Sequence, residues 1–122
     1  MFSKGELSRI DQADDLKISP LRNDGVTHGT PTWIWAVVVD DELYVRAYNG
    51  NASRWYRSAV NNQTGQIHAA GMIKEVAFKA INEEAPNSKI DLAYRLKYSK
   101  RPYLSHMIGS RAKAATIKII ST

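Results

Sequence analysis

The chain has 122 residues and carries 17 basic against 12 acidic side chains, a formal net charge of +5. Hydrophobic residues make up 43% and charged ones 24%, the balance of a single globular domain over 1–122 and not of a disordered chain. The lack of cysteine excludes disulfide scaffolds, thiolate catalysis and Cys-type zinc sites, and the longest apolar run, 33–39, falls far short of the roughly 20 residues of a membrane span.

In chain order, Ser3-Lys4-Gly5-Glu6 has the spacing of a capping box, and Leu7 and Ile10 give the following helix a narrow apolar stripe. A brief strand is expected at 16–18, closed by Pro20, and the Asn-, Asp-, Gly- and Pro-rich stretch 22–31 reads as a loop. Residues 33–39, Trp-Ile-Trp-Ala-Val-Val-Val, predict a strand buried on both faces. Asp40-Asp41 makes a turn, and 42–48 then alternates, with Leu43, Val45 and Ala47 on one face and Tyr44, Arg46 and Tyr48 on the other.

A helix of about three turns follows from Ser53, with Trp55, Ala59, Tyr56 and Val60 on its apolar side, and ends across 61–65. Residues 66–70 and 73–81 predict two further strands with Gly71 at their junction. Pro86-Asn87-Ser88 opens another helix, where Ser88 and Asp91 have capping-box spacing and Asp91 and Arg95 are placed as an i,i+4 ion pair. Ile90, Ala93, Tyr94, Lys97 and Tyr98 share one face of it, read as core packing with a snorkelling lysine, and Arg101-Pro102 stops it. The chain closes with a strand over 114–120. This order predicts an α+β domain around an antiparallel sheet or small barrel.

Charge is unevenly spread. Residues 1–45 carry 4 basic and 8 acidic side chains, a balance of −4, whereas 46–122 carry 13 and 4, a balance of +9. A basic region of that size is a footprint for an anion. The most informative segment is 44–57, where a strand, a glycine turn and a helix start bring Ser53, Arg54 and Arg57 to a helix N-terminus. Free N–H groups and the macrodipole favour anions there, and two arginines in the first turn, each disfavoured by roughly 0.3–1 kcal/mol, suggest a compensating anion. Arg46 on the adjacent strand is placed to join them, with Tyr44 and Tyr48 flanking it on the same strand face and available to stack on a ring. The plainer reading is that Arg54 and Arg57 snorkel over Trp55 and Tyr56, and that Arg46 pairs with Asp40, Asp41 or Glu42.

Other chemistry finds little support. His28, His68 and His106 are too widely spaced for a local metal pair, and each reads as a surface or hydrogen-bonded histidine. There is no nucleophile elbow, P-loop or dinucleotide fingerprint. The aromatics and basic residues from Tyr94 to Tyr103 read more simply as a solvated helix end than as a nucleic-acid surface.

The runs from Pro31 to Ala47, Arg54 to Ala59, Gly65 to Ile67, Ile90 to Tyr98 and Ala114 to Lys118 resemble a small bacterial family known as domain of unknown function 2255. That family in turn looks similar to the split β-barrel flavin-binding superfamily of pyridoxamine-phosphate oxidases and deazaflavin-dependent nitroreductases. The resemblance implies a split barrel of about six strands with flanking helices, usually working as a homodimer, and the lack of an apolar signal core at residues 1–6 leads to the expectation of a cytoplasmic protein. It further implies flavin mononucleotide or a deazaflavin at the subunit interface, its phosphate held by Arg46, Ser53, Arg54 and Arg57. Trp33, Tyr48 or Trp55 would lie near the ring system. The activity so implied is that of a flavin-dependent oxidoreductase, with the catalytic residues left open. The alternative expectation is a cofactor-free barrel that binds protein or nucleic acid through its basic face.

Overall fold

A computed structural model describes residues 2–13, 16–22, 24–82, 84–102 and 104–122. Tyr103, at the end of the basic-aromatic stretch, lies outside them. Helix α1 (Lys4–Gln12) opens with both halves of the expected capping box, Ser3 accepting from the Glu6 N–H and Glu6 accepting from the Ser3 N–H. Seven strands follow among the described residues: β1 (Lys17–Pro20), β2 (Thr32–Trp33), β3 (Ala36–Val39), β4 (Glu42–Arg46), β5 (Thr64–Ala69), β6 (Met72–Ile81) and β7 (Thr116–Ser121). Between them lie α2 (Arg54–Asn62), α3 (Glu84–Lys97), α4 (Leu104–Met107) and α5 (Ser110–Lys113).

All pairings are antiparallel, in the order β2-β1-β5-β6-β7-β4-β3. The strands β2 and β3 therefore stand at opposite edges of the sheet, although only residues 34 and 35 separate them in the chain. Two residues cannot cross a flat seven-stranded sheet, whose strands lie nearly 5 Å apart, so the sheet curls until its edges approach. The result is a split, half-closed barrel. Counting the bent Thr32–Val39 segment as one strand gives the expected six.

That segment corrects the expectation of one strand buried on both faces. Trp33 is 51% exposed, β2 pairs with β1, and β3 pairs with β4. The bend is held from both sides. The Ile34 N–H donates to the Leu16 carbonyl, and from α3 the Tyr94 hydroxyl donates to the Trp35 carbonyl while Lys97 Nζ donates to the Ala36 carbonyl. Tyr98 stacks on Trp35 with ring centroids 4.3 Å apart. Burial pushes the Tyr94 phenol well above its ordinary pKa, so it remains a donor across the working range.

Inside the curl, Ile18, Leu43, Val45, Ile67, Val76, Phe78, Ile117 and Ile119 form one core, plugged at an end by Phe2, Leu7 and Ile10. A second cluster lies under α3, where Val37, Tyr44 and Ile81 meet Ile90, Tyr94 and Tyr98. The alternation expected over 42–48 holds within β4, which ends at Arg46, with Leu43 and Val45 turned inward and Tyr44 toward α3. The predicted Asp40-Asp41 turn forms with positive φ at both positions, 52° and 62°, and the junction expected at Gly71 is a two-residue turn, Ala70-Gly71, with φ 51° and 77°, the backbone that suits hairpin twist.

Four local expectations are corrected. The helix from Ser53 ends within the expected 61–65, at Gln63, a left-handed C-cap with φ 63°, but the strand expected from 66 already starts at Thr64, so Gly65 lies inside β5. A Cβ on Gly65 would come 2.5 Å from the Ser19 carbonyl oxygen, so glycine is required for the close approach of β1 and β5. Val60, expected on the apolar side of α2, is 39% exposed. Ser88 and Asp91 do not cap α3, because that helix already starts at Glu84, with Pro86 in the first turn, where a missing N–H is tolerated. Asp91 pairs with Arg46 and Lys113, which draw its carboxylate away from the expected Arg95 partner.

The docking of α1 carries a pH dependence. Glu6 accepts from Lys74 Nζ on β6 and from the Ser3 N–H, and these bonds hold its carboxyl down to about 2 from an ordinary 4.5. A depressed carboxyl stabilises the fold in full above the unfolded pKa and loses that contribution as pH falls through the folded one. Thermal midpoints measured from pH 5 to pH 2 are expected to fall more steeply for the native chain than for Glu6→Gln. Parallel curves would remove the assignment.

Candidate functional site

The turn after β4 is built around a glycine. Gly50 has φ 67°, and a Cβ there would come 2.5 Å from Arg111 Cγ, so the chain turns tightly under α5. A single 3₁₀ turn, Gly50–Ala52, then delivers Ser53 as the N-cap of α2. The Ser53 side chain makes no capping hydrogen bond, so it leaves the first-turn N–H groups of α2 unserved.

This helix start faces the bent edge of the sheet across a cleft of about 650 Å³, a size suited to a cofactor or small ligand. The bent edge lines it with residues 32–35, the helix start with Ser53, Arg54 and Trp55, and Arg46, Tyr48, Asn49 and Met107 complete the lining. All three tryptophans of the chain line this one cleft. Among the described residues no acidic side chain lines it.

Of the six residues expected at a site, Arg46, Tyr48, Ser53, Arg54 and Trp55 meet here, and Arg57 does not line the cleft. Arg57 Nε donates to the Asn51 carbonyl at 3.3 Å, tying the first helical turn back onto the 3₁₀ turn. Arg54 is exposed at the cleft mouth, Ser53 is half-buried, and Trp55 packs edge-on against Tyr56 with centroids 6.3 Å apart.

Arg46 differs from both readings of the sequence. It is 0% exposed and its guanidinium is engaged inside the protein. Nε donates to Thr116 Oγ1 at 3.0 Å, Nη1 to Asp91 and to the Met107 carbonyl, and Nη2 to the Asn87 carbonyl and Oδ1 at 3.2 and 3.0 Å. The Tyr94 ring lies 5.5 Å away. The partner is Asp91, 45 residues on, and not Asp40, Asp41 or Glu42. Asp40 instead holds Lys89, and Glu42 holds Lys118. Arg46 thus floors the cleft and fixes its walls, while Arg54 is the cation at its mouth.

Residues 6–119 match the family described as "Uncharacterized protein conserved in bacteria (DUF2255)". The chain belongs to the DUF2255 family. This DUF2255 chain is similar in structure to the conserved hypothetical protein Rv2991 from Mycobacterium tuberculosis, known from a crystal structure. The TM-score is 0.64 at 11% identity, over 100% of this chain and 81% of that one, a likeness that shows the fold alone. No curated protein matches the chain by sequence.

Sequence reasoning missed Trp35, Asn49 and Met107 as cleft residues, along with the Asn87, Asp91 and Thr116 network behind Arg46. Apart from Asn49, which lies in the turn after β4, none carries a local signal, since each gains its role from a contact made across the fold. Among the described residues no group of three or more His, Asp and Glu side chains is placed to hold a metal ion. No described helix is long and apolar enough to cross a membrane.

Proposed function

We propose that the cleft binds a flat aromatic cofactor with a phosphate tail, flavin mononucleotide or a deazaflavin, and that the protein is a flavin-dependent oxidoreductase. The observation that carries this reading is the convergence of all three tryptophans with Arg54 and the uncapped start of α2. The aromatic walls suit a planar ring, and the helix start with Arg54 suits a phosphate. The bound flavin would supply the electron and hydride chemistry. Ser53, the first-turn N–H groups of α2 and Arg54 would bind the tail, while Trp33, Tyr48 and Trp55 orient the ring and exclude water from its faces. In the same reading the chain works in the cytoplasm as a homodimer, the assembly that the family resemblance implies.

The test is the visible spectrum of freshly purified protein, followed by titration with flavin mononucleotide and with a deazaflavin. Because every tryptophan lines the cleft, ring binding is expected to quench most of the protein's intrinsic fluorescence, saturably and at micromolar ligand. A colourless protein whose fluorescence neither ligand quenches overturns the reading. Salt-sensitive binding of nucleic acid by that colourless protein would turn attention to the basic surface instead.

A further inference from the structure

Arg46 lines the cleft while its side chain has no exposure to solvent, so its charge acts through protein rather than through bulk water. Among the described residues the one carboxylate paired with it is Asp91, and Asp91 is shared with Lys113, whose Nζ lies 2.8 Å away. Two cations therefore divide one anion, and the cluster of Arg46, Asp91 and Lys113 keeps a net charge of +1. The other acceptors of the guanidinium are neutral: Thr116 Oγ1, the Asn87 carbonyl and Oδ1, and the Met107 carbonyl. They satisfy its donors without cancelling its charge.

Among the described residues the cleft adds no countercharge. Its lining includes no Asp or Glu, and its other charged member is Arg54 at the mouth. Asp91 and Lys113 do not line it, so the charge that the cleft meets at its floor is that of Arg46. His106 stacks on Tyr48, with ring centroids 3.9 Å apart, and lies outside the lining.

We propose that the Arg46, Asp91 and Lys113 cluster is a fixed positive field beneath the ring of the cleft ligand, and that it makes the cleft selective for the anionic form of that ring. The proposal rests on the flavin reading. Two electrons and one proton convert the neutral oxidised ring of flavin mononucleotide into a monoanion, so Arg46 becomes a specificity-determining residue that favours the reduced cofactor. Charge placed near the ring is one of the means by which a protein tunes a flavin. Here the charge is already held by five hydrogen bonds, so it needs no reorganisation when the ring becomes anionic.

The probe is flavin mononucleotide, oxidised or reduced with dithionite without air, titrated slightly above neutral pH and followed by tryptophan quenching. The phosphate is common to both forms, so the ratio of the two affinities reads the ring alone. In the native chain the reduced form is expected to bind about tenfold more tightly, which for a two-electron couple raises the potential of the bound flavin by about 30 mV. Asp91→Asn keeps both cations and removes their anion, and is expected to enlarge that ratio by about threefold or more. Lys113→Gln removes a cation that is 41% exposed and partly screened, and is expected to shrink the ratio by about twofold. Opposite shifts mark a field, because a loosened cleft would move both variants the same way. Equal affinities for the two ring forms in the native chain, or variants whose ratios stay unchanged or shift together, overturn the proposal and leave the flavin reading standing. A native chain that binds neither form overturns the flavin reading and this proposal with it.

Discussion

Arg46→Ala is expected to lower the stability to unfolding by about 3–5 kcal/mol, measured by urea titration at neutral pH. The guanidinium has no exposure and serves five acceptors on three separate elements of the fold: Thr116 on β7, Asp91 and Asn87 on α3, and the Met107 carbonyl of α4. Among the described residues no buried side-chain polar atom lacks a partner, so truncation creates unpaired groups where none stood. Asp91 retains Lys113 at 2.8 Å and 20% exposure, which limits the cost on the carboxylate side. Asp91→Asn is therefore expected to cost clearly less than Arg46→Ala, since Arg46 keeps its other acceptors. Arg46→Lys should fall between them, because an ammonium is a point donor and cannot fork toward Thr116, Asp91 and Asn87 together. A loss below about 1 kcal/mol in Arg46→Ala would mean that water or repacking replaces the network.

The same network explains which parts of the site are legible in the sequence. Residues 46–55 form one continuous strand, turn and helix start, so their local geometry follows from neighbours a few positions away. Tyr48, Ser53, Arg54 and Trp55 accordingly meet where the turn places them. Arg46 belongs to that segment, yet its partners lie between 41 and 70 residues along the chain, and nothing at short range announces them.

Residues 33–39 show a second kind of limit. Seven consecutive apolar residues lack the alternation that would tell one face from the other, so the sequence holds no mark of the change from the β1 edge to the β4 edge. The bend at 34 and 35 is imposed by Leu16, Tyr94, Lys97 and Tyr98. It is also what turns Trp33 and Trp35 toward the cleft. The four-residue helices α4 and α5 are too short for any periodic signal, which conceals the contact between His106 and Tyr48.

Arg54→Ala is expected to weaken flavin mononucleotide by about tenfold or more and riboflavin by less than about twofold, read by the same quenching titration. An exposed cation on a helix start contributes to a phosphate through charge-assisted hydrogen bonds and contributes nothing to a ring that ends in a ribityl hydroxyl. The stability change should carry the opposite sign. Arg54 stands in the first turn of α2, where the macrodipole disfavours positive charge by roughly 0.3–1 kcal/mol, and that turn contains no acidic residue to offset it. Removing the charge is thus expected to leave the ligand-free protein as stable as before or slightly more so. A merely structural arginine would do the reverse, lowering stability and weakening both flavins together. Raised salt should narrow the gap between the two flavins in the native chain, since only the phosphate contact is screened. Equal losses for the two flavins in Arg54→Ala would remove the phosphate from this end of the cleft, leaving the tryptophan walls to be explained by an uncharged ring.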